Sequence, residues 1–166
     1  LKHYYSHSKN PYRFDQVNVT VVEGLRDDDV NAFKNQGLRN LVKEISKLVQ
    51  QYSSASIAIN ATGGYKAQIS FAGLIGQTLE IPVYYLFERF AEVIELPPQP
   101  VALDLGFWLE HYEVLQRLDT DTIARDELGP SIADPRFQPL IDEVKINGQT
   151  YVALSATGQL FHEGFR

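Results

Sequence analysis

Ser56-Ile57-Ala58-Ile59-Asn60-Ala61-Thr62-Gly63-Gly64-Tyr65-Lys66 is the stretch from which the rest of the chain is read. An apolar run, Ile57 to Ile59, ends in Asn60. A small polar turn with two glycines follows, and Lys66 opens a predicted helix that runs to Leu79. Strand, glycine turn and helix N-terminus together make a geometry that suits an anion. The first N–H groups of a helix have no intrahelical partner, the dipole is positive there, and glycine admits a ligand to the backbone. As a bare pattern the signal is weak, because many strand–Gly-Gly–helix turns are purely structural.

The neighbouring segments decide what kind of sheet this strand belongs to. Upstream, Val17 to Glu23 is β-branched, ends at Gly24 and predicts a strand. Arg26 to Asp29 is a charged lead into a helix. Leu38, Leu41, Val42, Ile45, Leu48 and Val49 form an i, i+3, i+4, i+7 stripe that predicts a helix packed on a sheet and ending near Tyr52. Downstream, Ala67 to Leu79 is a helix of small and apolar residues. Val83 to Phe87 reads as a strand, Ala91 to Leu96 as another, and Pro97, Pro98 and Pro100 close the unit. Strand, helix, strand, helix, strand implies right-handed crossovers and a largely parallel sheet, with ligands beyond the strands' C-terminal ends. The predicted class is therefore α/β, a Rossmann-like and mostly parallel sheet over residues 1–102.

From Leu103 the pattern changes. Leu103 to Leu118 predicts a helix, Asp119 to Leu128 a short second one, and Pro135 to Val144 a third. Glu143 to Leu154 then reads as a hairpin around Asn147-Gly148, a type I′ turn signal. Ser155 caps a final helix, Ala156 to Arg166. Helices followed by a hairpin suggest a winged-helix-like appendage over residues 103–166. The plainer alternative is a helical subdomain that covers the sheet or forms a dimer.

Composition bounds the function. The 166 residues suit one domain or one with a small appendage, and they carry 15 Lys+Arg against 21 Asp+Glu, a net charge of −6. A chain devoted to duplex nucleic acid is usually basic, so DNA is disfavoured and any nucleotide ligand is expected to be small and held locally. There is no cysteine, hence no disulfide and no thiolate chemistry. That fits a reducing, cytoplasmic setting. No apolar run approaches the roughly 20 residues of a membrane helix, and no secretory signal is visible. The chain lacks methionine and starts at Leu1, so it reads as a processed chain or fragment.

The central loop is not a Walker A motif, because Ala67 follows Lys66 where a serine or threonine would bind Mg²⁺, and G-x-G-x-x-G is absent. What it offers is two glycines, the Thr62 hydroxyl, the Asn60 amide and one mobile cation, Lys66. Together these suit a phosphodiester, and the lysine suits extra negative charge at phosphorus in a transition state. Other groups are weaker candidates. Leu1 to Phe14 is aromatic and basic, either a lead-in or a base-stacking segment. His3 and His7 lack a third metal ligand, and no metal or cofactor is predicted. His111 is expected to be partly buried, His162 and Glu163 to lie on a solvated face, and Glu88-Arg89 to form an ion pair or a dimer contact.

The Asn60-Ala61-Thr62-Gly63-Gly64-Tyr65-Lys66-Ala67 loop, the Phe33…Gly37-Leu38…Leu41-Val42 helix, Pro82-Val83-Tyr84-Tyr85-Leu86-Phe87-Glu88 and Leu96-Pro97 occur here in one order. In that order they resemble the CARF family, the CRISPR-associated Rossmann fold, over about Val17 to Asp104. The resemblance implies a role in antiviral defence as a homodimeric sensor of cyclic oligoadenylate, the ligand lying on the dimer axis. It places Asn60, Ala61, Thr62, Gly63, Gly64, Tyr65 and Lys66 against that ligand. Some such proteins are ring nucleases that cut it without metal, the ligand's own 2′-OH attacking the adjacent phosphate to give a 2′,3′-cyclic phosphate. Lys66 would then be the catalytic residue. The chain departs from the family in two ways. The family's hydroxyl-bearing loop after the first strand falls before Leu1, so half the site is expected to be missing. The R-x-x-x-x-H spacing of HEPN ribonuclease effectors is also absent. The alternative function is a ligand-responsive transcription regulator with a winged-helix output.

Overall fold

The computed structural model of the chain describes residues 2–64, 66–87, 89, 92–97 and 102–166, with the side chains of residues 66 and 67 outside that description. Among the described residues it is a mixed α/β structure, about half helical, with two small three-stranded sheets. A short helix α1 (Lys2–Ser6) is followed by turns. Helix α2 (Val30–Ala32) starts at Asp29, whose carboxylate accepts from the Ala32 N–H at 3.0 Å. A π-turn, Phe33–Gly37, leads into α3 (Leu38–Tyr52). Then come β1 (Ile59–Asn60), α4 (Lys66–Thr78), β2 (Val83–Leu86) and β3 (Val93–Glu95).

The first sheet has the order β1-β2-β3. Strands β1 and β2 run parallel, Ile59 opposite Val83, whereas β2 and β3 are antiparallel, Tyr85 opposite Ile94. The largely parallel sheet expected over this region is thus a mixed one. The physical reason lies in the connection 87–92, which is too short for the crossover a parallel neighbour needs. Strand β1 is also shorter than its apolar run. Ser54–Ser56 is a 3₁₀ turn, and the Ile59 N–H donates to the Pro82 carbonyl at 2.9 Å. Pro82 has no N–H to return, so the ladder stops there.

Val17 to Glu23 does not form the predicted strand. It joins no ladder, turns at Glu23-Gly24, and leaves Val21 90% exposed. β-propensity expresses packing against cross-strand neighbours, and none of the described residues supplies them. The segment lies instead beside α3, where the Asn40 side chain donates to the Glu23 carbonyl at 3.0 Å.

The C-terminal part begins with α5 (Leu105–Glu110) and α6 (Tyr112–Thr120). The single helix expected over Leu103–Leu118 bends at His111 (φ −113°, ψ 16°). Strand β4 (Ile123–Ala124) follows, then 3₁₀ turns at Arg125–Ala133 and Pro135–Phe137. Neither helix expected at Asp119–Leu128 or Pro135–Val144 forms. Ile123 is drawn into a ladder opposite Val152, Gly129 at φ +61° and Pro130 break the turn, and Ile141 onward enters a strand. Strands β5 (Ile141–Ile146) and β6 (Gln149–Leu154) form the predicted hairpin. Asn147 and Gly148 both have positive φ, +51° and +83°, as a type I′ turn requires. The sheet order is β4-β6-β5, all antiparallel. Helix α7 (Ala156–Glu163) is capped by Ser155, whose Oγ accepts from the Gly158 N–H at 3.0 Å and donates to the Pro139 carbonyl at 2.8 Å.

Burial divides into two main cores. One lies within the C-terminal part and centres on Leu115, Leu118, Phe137, Val152, Leu154 and Phe161. The other joins Val42 of α3, Ile75 of α4 and Leu160 of α7. A smaller cluster, Ala61, Ala72 and Val83, seats α4 on the sheet. Gly76 permits that approach: a methyl there would overlap Val83 Cγ2 and lie 2.7 Å from the Ile81 carbonyl oxygen. The stripe on α3 therefore meets α7 and α4 as well as Ile59, and Leu48 at its end stays exposed. His162, expected on a solvated face, is 0% exposed, because α7 is enclosed by both cores. None of the described helices is long and apolar enough to cross a membrane.

Candidate functional site

The Asn60–Lys66 loop leaves the sheet at the C-terminal end of β1, and three hydrogen bonds set its first half. The Ala61 N–H donates to the Tyr84 carbonyl at 2.8 Å, carrying the β1–β2 ladder one residue further and burying Ala61. The Thr62 N–H donates to Asn60 Oδ1 at 3.0 Å, an Asx turn that reverses the chain. Thr62 Oγ1 then accepts from the Leu86 N–H at 2.9 Å. Leu86 ends β2, so this bond ties the loop to the same edge of the neighbouring parallel strand.

The glycines stand above that anchored base. Asn60, Thr62, Gly63 and Gly64 are exposed. Around Gly63 a Cβ would meet nothing within 4 Å, and Gly64 has φ +145°, which few other residues adopt. Lys66 is the first residue of α4, and the first turn of α4 carries no acidic residue of its own to offset the positive helix end. Of the residues predicted for the site, the structure brings Asn60, Ala61, Thr62, Gly63 and Gly64 together at one sheet edge ahead of α4. Tyr65 and the Lys66 side chain lie outside the described residues. Chemically, the described part offers backbone N–H groups, an amide and a hydroxyl; none of those five residues titrates.

The Thr62 hydroxyl, expected to face a ligand, has a second role: its oxygen is the acceptor for the Leu86 N–H. The spacing holds a signal for it: a polar side chain two residues past the last strand residue, beside a parallel neighbour ending at the same height.

Other reactive groups lie away from the loop, in pairs or packed against rings. The Arg136 guanidinium bonds Asp134 at 2.7 Å and holds its carboxyl down to about 2, a fixed ion pair rather than an acid catalyst. His111 is largely buried against the Phe107 and Phe137 rings. His3 and His7 stack edge to face at 5.8 Å, and the Lys9 N–H donates to His7 Nδ1. Among the described residues no group of three or more His, Cys, Asp or Glu is placed to hold a metal. The Glu88 contact lies outside the described residues.

The profile of a family described as CRISPR-associated protein (Cas_APE2256) matches residues 1–99. Among curated proteins, none matches the chain.

Proposed function

The chain belongs to the Cas_APE2256 family of CRISPR-associated proteins, and from that premise we propose that it is a CARF-like sensor that binds cyclic oligoadenylate through the Asn60–Lys66 loop. The observation that carries the reading is the Thr62–Leu86 bond, which fixes an exposed Gly63-Gly64 turn at the shared C-terminal edge of β1 and β2, directly ahead of α4. Ligands of parallel β–α units sit at such edges, and free helix N–H groups with glycines accept phosphate oxygens. On this reading the parallel pair and α4 are the ligand-facing part of a Rossmann-like unit, Asn60 and Thr62 orient the ring, and Lys66 neutralises phosphate. A second copy supplies the opposite half of a two-fold site.

Cleavage of the ring by this chain would draw on the ligand's own 2′-OH, with Lys66 stabilising charge on phosphorus, since the described loop residues contain no general base. A winged-helix-like reading of residues 103–166 is supported by the β4-β6-β5 order and the hairpin. The segment 125–137 presents only 3₁₀ turns, however, so a transcriptional output lacks its groove-reading helix.

The test is to incubate the purified chain with cyclic tetra- and hexa-adenylate in EDTA and to follow co-elution and products. Retention of either ring, lost in Lys66→Ala, is the expected result. Linear products with a 2′,3′-cyclic phosphate would make the chain a ring nuclease. The absence of both retention and cleavage, for both rings, removes the proposal.

A further inference from the structure

Asp119, the residue after the last buried leucine of α6, collects donors from three separate segments. Lys43 Nζ of α3 lies 3.0 Å from its Oδ1 and also donates to its backbone carbonyl at 2.8 Å. Gln159 Nε2 of α7 donates to Oδ1 at 2.8 Å, and Arg166 Nη1 to Oδ2 at 3.2 Å. The side chain is only 8% exposed. A carboxylate at a helix C-terminus faces the negative end of the dipole, so local helix chemistry does not explain it; its partners on α3 and α7 do.

The polar edge of the α3–α7 contact runs beside the small apolar core that Leu160 completes. Beside Asp119 lies a pocket of about 220 Å³ lined by Lys43, Ser46, Lys47, Asp119, Glu163 and Arg166. Ser46 Oγ and Gln159 Oε1 are buried without a hydrogen-bond partner. The apolar part of the contact centres on Leu160 against Val42 and Ile75, with half-buried residues such as Leu41 and Ile45 around it. Polar, loosely filled contacts between packed units open more readily than a continuous apolar core.

We propose that Asp119 is a conformational latch: its ion pair with Lys43 holds α6 and α7 against α3, and its release lets α7 draw Leu160 out of the α3–α4 core while the C-terminal core stays folded. The inference is independent of what the Asn60–Lys66 loop binds.

The chain has no cysteine, so a single introduced thiol reports opening at one place. Ser46→Cys puts it in the α3–α7 contact, and Val152→Cys puts it in the C-terminal core, where the side chain is fully buried. Each is labelled under native conditions, with and without Asp119→Asn. The latch predicts at least tenfold faster labelling at position 46 and less than a twofold change at position 152. Equal acceleration at both positions, or none at position 46, overturns it. Should Asp119→Asn not fold, Lys43→Gln leaves Asp119 its bonds to Gln159 and Arg166. The same split is then expected at threefold or more, and its absence overturns the proposal equally.

Discussion

Replacing His162 by Gln should abolish one component of the pH dependence of stability. His162 is fully buried, and the Trp108 indole N–H donates to its Nδ1 at 3.2 Å. That bond requires a neutral imidazole with its proton on Nε2, an atom that has no partner of its own. Burial pushes the His162 pKa down, more strongly than the nearby Asp119 carboxylate raises it; Arg166 and Lys43 push it down further. The unfolded chain therefore takes up a proton near pH 6.5 that the folded chain refuses. Stability from this group is complete above that pH and is lost as pH falls, by up to about 1.4 kcal/mol per pH unit until the folded imidazole itself titrates. Glu163 acts in the opposite sense: burial raises its pKa, so the folded chain holds that proton first and acidification stabilises it. In Asp119, burial alone would raise the pKa, but the Gln159 hydrogen bond and Lys43 outweigh it, so its contribution is lost only at lower pH. Subtracting the variant's profile from the wild-type profile isolates His162. In His162→Gln the amide oxygen still accepts from Trp108. Urea midpoints followed by the fluorescence of Trp108, the only tryptophan, should decline from pH 7.5 to 5.5 more steeply in wild type than in the variant. Identical profiles would refute the reasoning.

Gly76→Ala should destabilise the chain by about 1–3 kcal/mol, because the added methyl overlaps Val83 and crowds the Ile81 carbonyl; thermal unfolding measures it, and an unchanged midpoint would contradict the close approach of α4 to β2. Ser155→Ala removes the cap of α7 and the donor to Pro139, costing about 1–2 kcal/mol by urea denaturation. Thr62→Val removes the acceptor for Leu86 at about 1 kcal/mol because the site is exposed. It should also weaken retention of cyclic oligoadenylate more than it lowers the melting temperature, whereas Thr62→Ser should restore both.

The elements legible in the sequence are those whose stabilising partners are local. Helix α3 has its stripe, Ser155 caps α7 three residues from Gly158, and Asn147-Gly148 writes its own turn. Less legible are the features set by distant partners. Val17 to Glu23 has strand chemistry but no neighbour, and β3 runs antiparallel because of a connection length. Ile123 exchanges a helix for a ladder with Val152, more than twenty residues downstream. At the candidate site the loop residues were readable as a group, while the Thr62–Leu86 tie depended on two strands ending at one height. The burial of His162 is not legible in the sequence, because helical periodicity names one buried face and α7 has two.

The position of Leu160 sets a schedule for synthesis. The core of α3 and α4 closes on a residue supplied by the last helix, so Val42 and Ile75 leave the ribosome long before their partner. At about 5–20 residues per second, translation from residue 75 to residue 160 takes roughly 4–17 s. Through that interval the nascent β1–α4–β2 unit carries an uncovered apolar face, a natural substrate for chaperones. A stop codon placed ahead of α7 would leave that face bare for good.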